Sequence, residues 1–228
     1  MNVLQVQIDN CSLPSPPLRS SSLPISYYLN QYFIDHQDPR TMSLPIINIS
    51  IWTMFLILLC YLYSIKKLIP LIMKNHEPIH LKKTMLVYNI TMVLANAFFF
   101  SHYINRLNRL FDFVYPKVDC SEESFYEIKI LYLYFGSKFM DWFDTLFLVL
   151  KKKHNHISFL HLYHHTMVPL VGWLFLKINP LIPAIALFGV INSFIHVVMY
   201  SYYALASFGP SIQKYLWWKK YITMIQMI

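Results

Sequence analysis

Three histidines in one short stretch could do chemistry that the rest of the chain could only support. His161, His164 and His165 occur as His-Leu-Tyr-His-His inside an apolar run from Ile157 to Leu176. On a helix, positions i, i+3 and i+4 share a face, so the three imidazoles are expected to point the same way. The run has the length and apolarity of a membrane span, where ionisable side chains are expensive and normally face a protein-lined cavity. Catalysis or metal binding is the leading expectation for such a cluster. The bland alternative places the histidines near a membrane end, against water or headgroups; three on one face argue against it.

Other polar residues stand where lipid would not tolerate them. Lys138, Asp141 and Asp144 lie at i, i+3 and i+6 of an apolar run from about Ile128 to Leu150. Lys138 and Asp141 are spaced to pair, and such a pair could equally tie helices together or serve a site. Asp144, followed by Thr145, is the better candidate for chemistry, because a carboxylate can hold the proton on one histidine nitrogen and raise the basicity of the other. Asn192 and His196 stand at i and i+4 of a further run, again on one face. Together with the three-histidine face they are expected to share one cavity.

The elements that must position these groups are membrane spans. The 228 residues are 56% hydrophobic, 17% aromatic and only 13% charged, too apolar for a typical soluble domain. A net charge of +8 could suggest nucleic acid, but the lysines sit in short clusters between apolar runs, the pattern of positive-inside topology. Spans are expected at about 46–65, 85–103, 128–150, 157–176 and 181–206, with a sixth beginning after Trp217-Trp218-Lys219-Lys220. Residues 1–45 read as a polar, proline-punctuated tail, with a short amphipathic helix near Tyr27 to Ile34. Lysines 66, 67, 74, 82 and 83, then 151–153, then 214, 219 and 220 mark cytosolic connections, which leaves the tail lumenal and the Asn10-Cys11-Ser12 sequon usable. No signal peptide is apparent at the N-terminus. Cys11, Cys60 and Cys120 show no CxxC spacing and signal neither a disulfide framework nor a zinc site.

Lys138-Phe-Met-Asp141-Trp-Phe-Asp144-Thr145, His161-Leu-Tyr-His164-His165, Asn192-Ser-Phe-Ile-His196-Val-Val-Met199-Tyr200-Ser-Tyr202-Tyr203 and Thr223-Met-Ile-Gln226 resemble the four ordered signatures of the ELO family of very-long-chain fatty acid elongases. Asp38-Pro39-Arg40, Val87-Tyr88-Asn89 and Leu216-Trp-Trp-Lys-Lys220 extend the resemblance over most of the chain from Asp38 onward. Asp141 stands where the family has glutamate. The second glutamine of the last signature, the final span and the lysine-rich tail are not in this sequence, which therefore reads as C-terminally truncated.

The resemblance implies an all-α polytopic protein of about seven transmembrane helices, six of them around a substrate tunnel, with a lumenal tail at 1–45 and the transmembrane domain at 46–228. It implies an endoplasmic reticulum enzyme that joins a long-chain acyl-CoA to malonyl-CoA with loss of carbon dioxide, giving a 3-oxoacyl-CoA two carbons longer. No cofactor or metal is expected. Within that reading His164 is the expected nucleophile, forming an acyl-imidazole, with His161 and His165 orienting and Asp144 behind them. Asn192 and His196 would act near the enolate or the CoA thiol. Lys138, Asp141, Thr145, Tyr200, Tyr203 and Gln226 would contact substrate, and the CoA phosphates would meet Lys151, Lys152 or Lys153, or Lys219 and Lys220. Implied partners are the bilayer and the reductases and dehydratase of the elongation cycle; no nucleic acid is expected, and the resemblance leaves room for a homodimer. A membrane di-iron desaturase would also use an HxxHH box, but it needs several, and Pro78 spoils His76-Glu-Pro-Ile-His80 as a helical ligand pair. A transporter would share the buried charges without explaining the ordered motifs.

Overall fold

A computed structural model describes residues 25–107, 120–218 and 221. The tail before residue 25, the Asn10 sequon, Lys219, Lys220 and Gln226 lie outside the described residues. Those described form helices and no strands. The order is α1 (Ile25–Asp35), α2 (Ile51–Asn75), α3 (Lys82–Leu107), α4 (Glu122–Met140), α5 (Trp142–Leu150), α6 (Phe159–Ile178), α7 (Pro183–Ala206) and a short α8 (Pro210–Gln213). Helices α2, α3 and α7 are each long and apolar enough to cross a membrane. α2 runs ten residues beyond the span expected from sequence, through a π-helical turn at Ser64–Leu68 that carries Lys66 and Lys67. The run 128–150, expected as one span, is interrupted at Asp141, where a tightened turn (Asp144 N–H to Asp141 O, 3.2 Å) separates α4 from α5.

The described residues divide into two compact units, one holding α1, α2, α4, α5 and α6, the other α3, α7 and α8. In the first unit, side chains of α4 and α6 hold the segment before α2 by its main-chain carbonyls. Trp173 donates its indole N–H to Ile46 O (3.0 Å), Lys177 Nζ donates to Ile47 O (2.9 Å) and Ile49 O (3.2 Å), and Tyr132 donates to Pro45 O (3.0 Å). Ile46 adopts φ 68, unusual for a β-branched residue, at the turn where these carbonyls are captured. Asp38 caps the preceding 3₁₀ turn, takes a two-point contact from Arg40 (2.9 and 2.6 Å), and donates its own N–H to Lys177 O (2.8 Å). Both partners are buried, so removing either would strand a charge. Gly172 lets α6 approach α4: a Cβ there would lie 3.2 Å from the Phe135 ring.

The second unit is an antiparallel pair, since Tyr103 meets Gly189 while Met92 packs with Met199 and Tyr200. On α3 the buried residues Asn89, Met92, Asn96, Phe99 and Tyr103 recur at three- and four-residue steps, one stripe of a helix. Exposed apolar residues, such as Val87 and Leu94 on α3 and Leu56 and Leu59 on α2, form the face that lipid would cover. Cys60 is free and Cys120 is disulfide-bonded, a difference that the cysteine spacing did not signal. Three scattered cysteines carry no periodic signal, and pairing depends on where folding brings them.

Candidate active site

Helix α6 begins at Ser158, whose hydroxyl accepts the His161 N–H (3.1 Å), so the histidine stretch occupies the first two turns. The expected shared face is present. The rings of His161 and His165 lie 4.2 Å apart and those of His164 and His165 5.8 Å. All three are partly buried, while Tyr163 between them is exposed.

The group that hydrogen-bonds His161 comes from α5. Thr145 Oγ1 lies 2.8 Å from His161 Nε2 and 3.0 Å from the hydroxyl of Tyr61 on α2, which donates to it. With Tyr61 donating, the threonine hydroxyl hydrogen is available for His161 Nε2, so a neutral His161 would carry its proton on Nδ1. Tyr61, Thr145 and His161 thus form a chain across three helices with Thr145 fully buried at its centre. Trp142 locks the arrangement: its ring stacks on Tyr61 at 4.2 Å and 14°, and its indole N–H donates to the His165 carbonyl (2.8 Å). Burial of Tyr61, Val149 and Leu162 in one apolar cluster holds the three helices at this spacing.

Lys138 and Asp141 form the expected i, i+3 ion pair (3.3 Å), both buried, with the ammonium also 4.6 Å from the centre of the Tyr134 ring. His164 lies in the electrostatic field of this pair. Asp144 is half-buried and its charge is felt by Tyr61 and by Lys138. The side-chain hydrogen bond to His161 comes from the neighbouring residue, Thr145. Lys151 closes α5, partly buried; burial pushes its ammonium pKa down, and the charge of Lys153 acts in the same direction. Lys152 is exposed and reaches the carbonyl of Lys74 (3.5 Å).

In the second unit, Asn192 Nδ2 lies 3.4 Å from His196 Nε2, and both residues are buried. The His196 ring meets Tyr200 edge-on at 5.6 Å, and the Tyr200 hydroxyl lies 3.2 Å from that of Tyr88. Tyr200 is fully buried and Tyr203 is exposed.

Several residues in these two clusters escaped sequence reasoning. Tyr61 and Trp142 read as ordinary aromatics of apolar runs, with no local sign of their hydrogen bonds. Asn89 and Asn96 did leave a signal, two amides seven residues apart on one span. Asn89 Nδ2, Asn96 Oδ1 and, on α7, Ser193 Oγ are buried without a hydrogen-bond partner, leaving polar capacity on both helices of the pair. Among the described residues no three of His, Cys, Asp and Glu come together as a metal-holding group.

Apolar helices carrying partly buried histidines, buried amides and a buried ion pair define a multi-pass helical membrane protein. Residues 46–228 match the ELO family (GNS1/SUR4), and the chain belongs to that family. It is similar to very long chain fatty acid elongase 4 of Homo sapiens, with 41% identity over 196 residues, 84% of this chain and 61% of the relative. It is also similar to elongase 7 of Drosophila melanogaster, at 37% over 196 residues (84% of this chain, 58% of the relative), and to human elongase 1, at 36% over 204 residues (88% and 72%). The chain thus spans about three-fifths of the first two of these relatives.

Proposed function

We propose that this protein catalyses the condensing step of fatty acid elongation, joining a long-chain acyl-CoA to malonyl-CoA in the endoplasmic reticulum membrane. The observation that carries the reading is the chain Tyr61, Thr145, His161, set beside His164 and the Lys138–Asp141 pair. Family membership and the names of the relatives point the same way. His161 has its Nε2 engaged by Thr145, which suits an orienting role; His164 is the proposed nucleophile, with His165 also orienting. A neutral His164 nitrogen attacks the acyl thioester carbonyl; the C–S bond breaks and CoA thiolate leaves. Malonyl-CoA then loses carbon dioxide, and the electron pair of the broken C–C bond forms an enolate. The enolate carbon attacks the acyl-imidazole, releasing His164 and the 3-oxoacyl-CoA, while the departed thiolate takes up a proton.

Asn192 and His196 supply hydrogen-bonding groups of the kind an enolate or thiolate needs. The CoA phosphates approach from the cytosolic side, where Lys151 and Lys153 offer positive charge, and no metal or cofactor takes part. A disulfide at Cys120 fits the lumenal side assigned to that connection, since disulfides persist in oxidising compartments. The elongation reductases and dehydratase would consume the product.

Purified protein in lipid, given acyl-CoA and labelled malonyl-CoA, should form labelled 3-oxoacyl-CoA. With acyl-CoA alone, intact-protein mass spectrometry should show one acyl adduct that maps to His164. His164→Ala should insert into membranes normally, lose the adduct and lose condensation. Turnover near the parent rate in that variant would move the nucleophile elsewhere, and activity restored only by added iron or zinc would favour metal chemistry.

A further inference from the structure

At the end of α2 that the lysine pattern places in the cytosol, the first unit carries an open groove of about 690 Å³. Its cationic lining is Lys66, Lys67, Lys74, Lys152 and His154, and among the described residues no carboxylate lines it. The condensation chemistry uses none of Lys66, Lys67 or Lys74. Two features of the backbone build the cluster. The π-helical turn at Ser64–Leu68 widens α2 where Lys66 and Lys67 lie, and such turns are rare and frequently found at functional sites. Lys152, across the groove, holds φ 55, a left-handed conformation unfavourable for a residue with a Cβ, and its Nζ reaches Lys74 O at 3.5 Å. Sequence-distant lysines are thereby gathered on one concavity.

The remainder of the lining is apolar, with Tyr63, Pro70, Leu71 and Met73. Tyr63 is 62% exposed and Leu71 70% exposed. Above them Leu56 and Leu59 continue the exposed face of a helix long enough to span the bilayer. Cations gathered where an uncovered apolar helix face begins match a molecule with an anionic head and a hydrocarbon tail. We propose that this groove binds an anionic phospholipid of the cytosolic leaflet, with the headgroup phosphate on Lys66, Lys67 and Lys74 and an acyl chain along Tyr63, Leu59 and Leu56. A soluble phosphate ligand would gain the charge but leave the apolar wall unused.

The test is lipid binding by the purified full chain in neutral detergent, read as melting temperature against added lipid and as bound lipid in native mass spectrometry. Phosphatidylserine should raise the melting temperature saturably and phosphatidylcholine should not. The triple variant Lys66→Ala/Lys67→Ala/Lys74→Ala should bind phosphatidylserine more weakly by on the order of a hundredfold, taking each lysine near a membrane surface at its usual worth. The arginine triple at the same positions should retain binding. Lys82→Ala/Lys83→Ala, outside the groove lining, should stay within about twofold, since general surface attraction is screened and not site-bound. If the alanine triple does not fold, Lys66→Gln and Lys74→Gln singly should each weaken binding about fivefold. An unchanged response in these variants, equal responses to the two lipids, or an equal loss in the Lys82/Lys83 variant would overturn the proposal. So would CoA or inorganic phosphate producing the same shift alone and displacing the lipid, which would make the groove a soluble-phosphate site.

Discussion

The Tyr61–Thr145–His161 chain makes a quantitative prediction. Tyr61→Phe removes only the hydroxyl donated to Thr145 and keeps the ring stacked on Trp142 at 4.2 Å. A typical hydrogen bond contributes about 0.5–1.5 kcal/mol net, so if it is fully felt in the transition state the rate should fall about 2- to 13-fold. Thr145→Val is nearly isosteric but strips the partner from His161 Nε2 and leaves the Tyr61 hydroxyl buried with no acceptor. An unsatisfied buried group costs about 1–3 kcal/mol, which, if fully felt in the transition state, predicts a loss of about 5- to 150-fold. The double variant should be no slower than Thr145→Val, because Tyr61→Phe then removes an orphaned hydroxyl instead of breaking a bond. Thr145→Ser, which keeps the hydroxyl, should stay close to the parent. The assay is the initial rate of labelled 3-oxoacyl-CoA formation in lipid, corrected for folded protein, with melting temperatures measured alongside. Strictly multiplicative losses in the double variant, or a Thr145→Val enzyme at the parent rate, would refute a connected chain that positions His161.

Asp144→Asn should keep yield and lose rate, whereas Asp141→Glu, which lengthens the partner of buried Lys138 by one methylene, should be tolerated; yield-corrected rates decide, and the reverse result would place Asp141 at the reacting centre. Gly189→Ala should destabilise the α3–α7 pair by about 1–3 kcal/mol, because its Cβ would fall 2.6 Å from a carbon of the buried Tyr103 ring; a lowered melting temperature checks it, and an unchanged one would mean that the ring moves freely. A glycosylation acceptor engineered in the Lys151–Lys153 loop should remain unmodified while one placed beside Cys120 is modified; modification of the lysine loop would invert the topology.

Local periodicity alone determined much of this protein. The 3.6-residue repeat places His161, His164 and His165 on one face and brings Lys138 within reach of Asp141, and both hold because each involves a single turn of helix. Apolar length and composition likewise made the chain helical and membrane-spanning. Tertiary structure alone decided which groups complete those local pairs. Thr145 lies one residue from the aspartate that spacing favoured, and its hydroxyl meets Tyr61 from 84 residues earlier in the chain. Lys177 looked like part of a short polar turn, yet its ammonium is spent on two carbonyls about 130 residues away. The break at Asp141 within the run 128–150 was equally illegible, because hydropathy records that a segment is buried and not whether its helix continues. A hydrogen bond between distant segments depends on where packing leaves an unmatched donor beside an acceptor, and no repeat in the sequence records that coincidence.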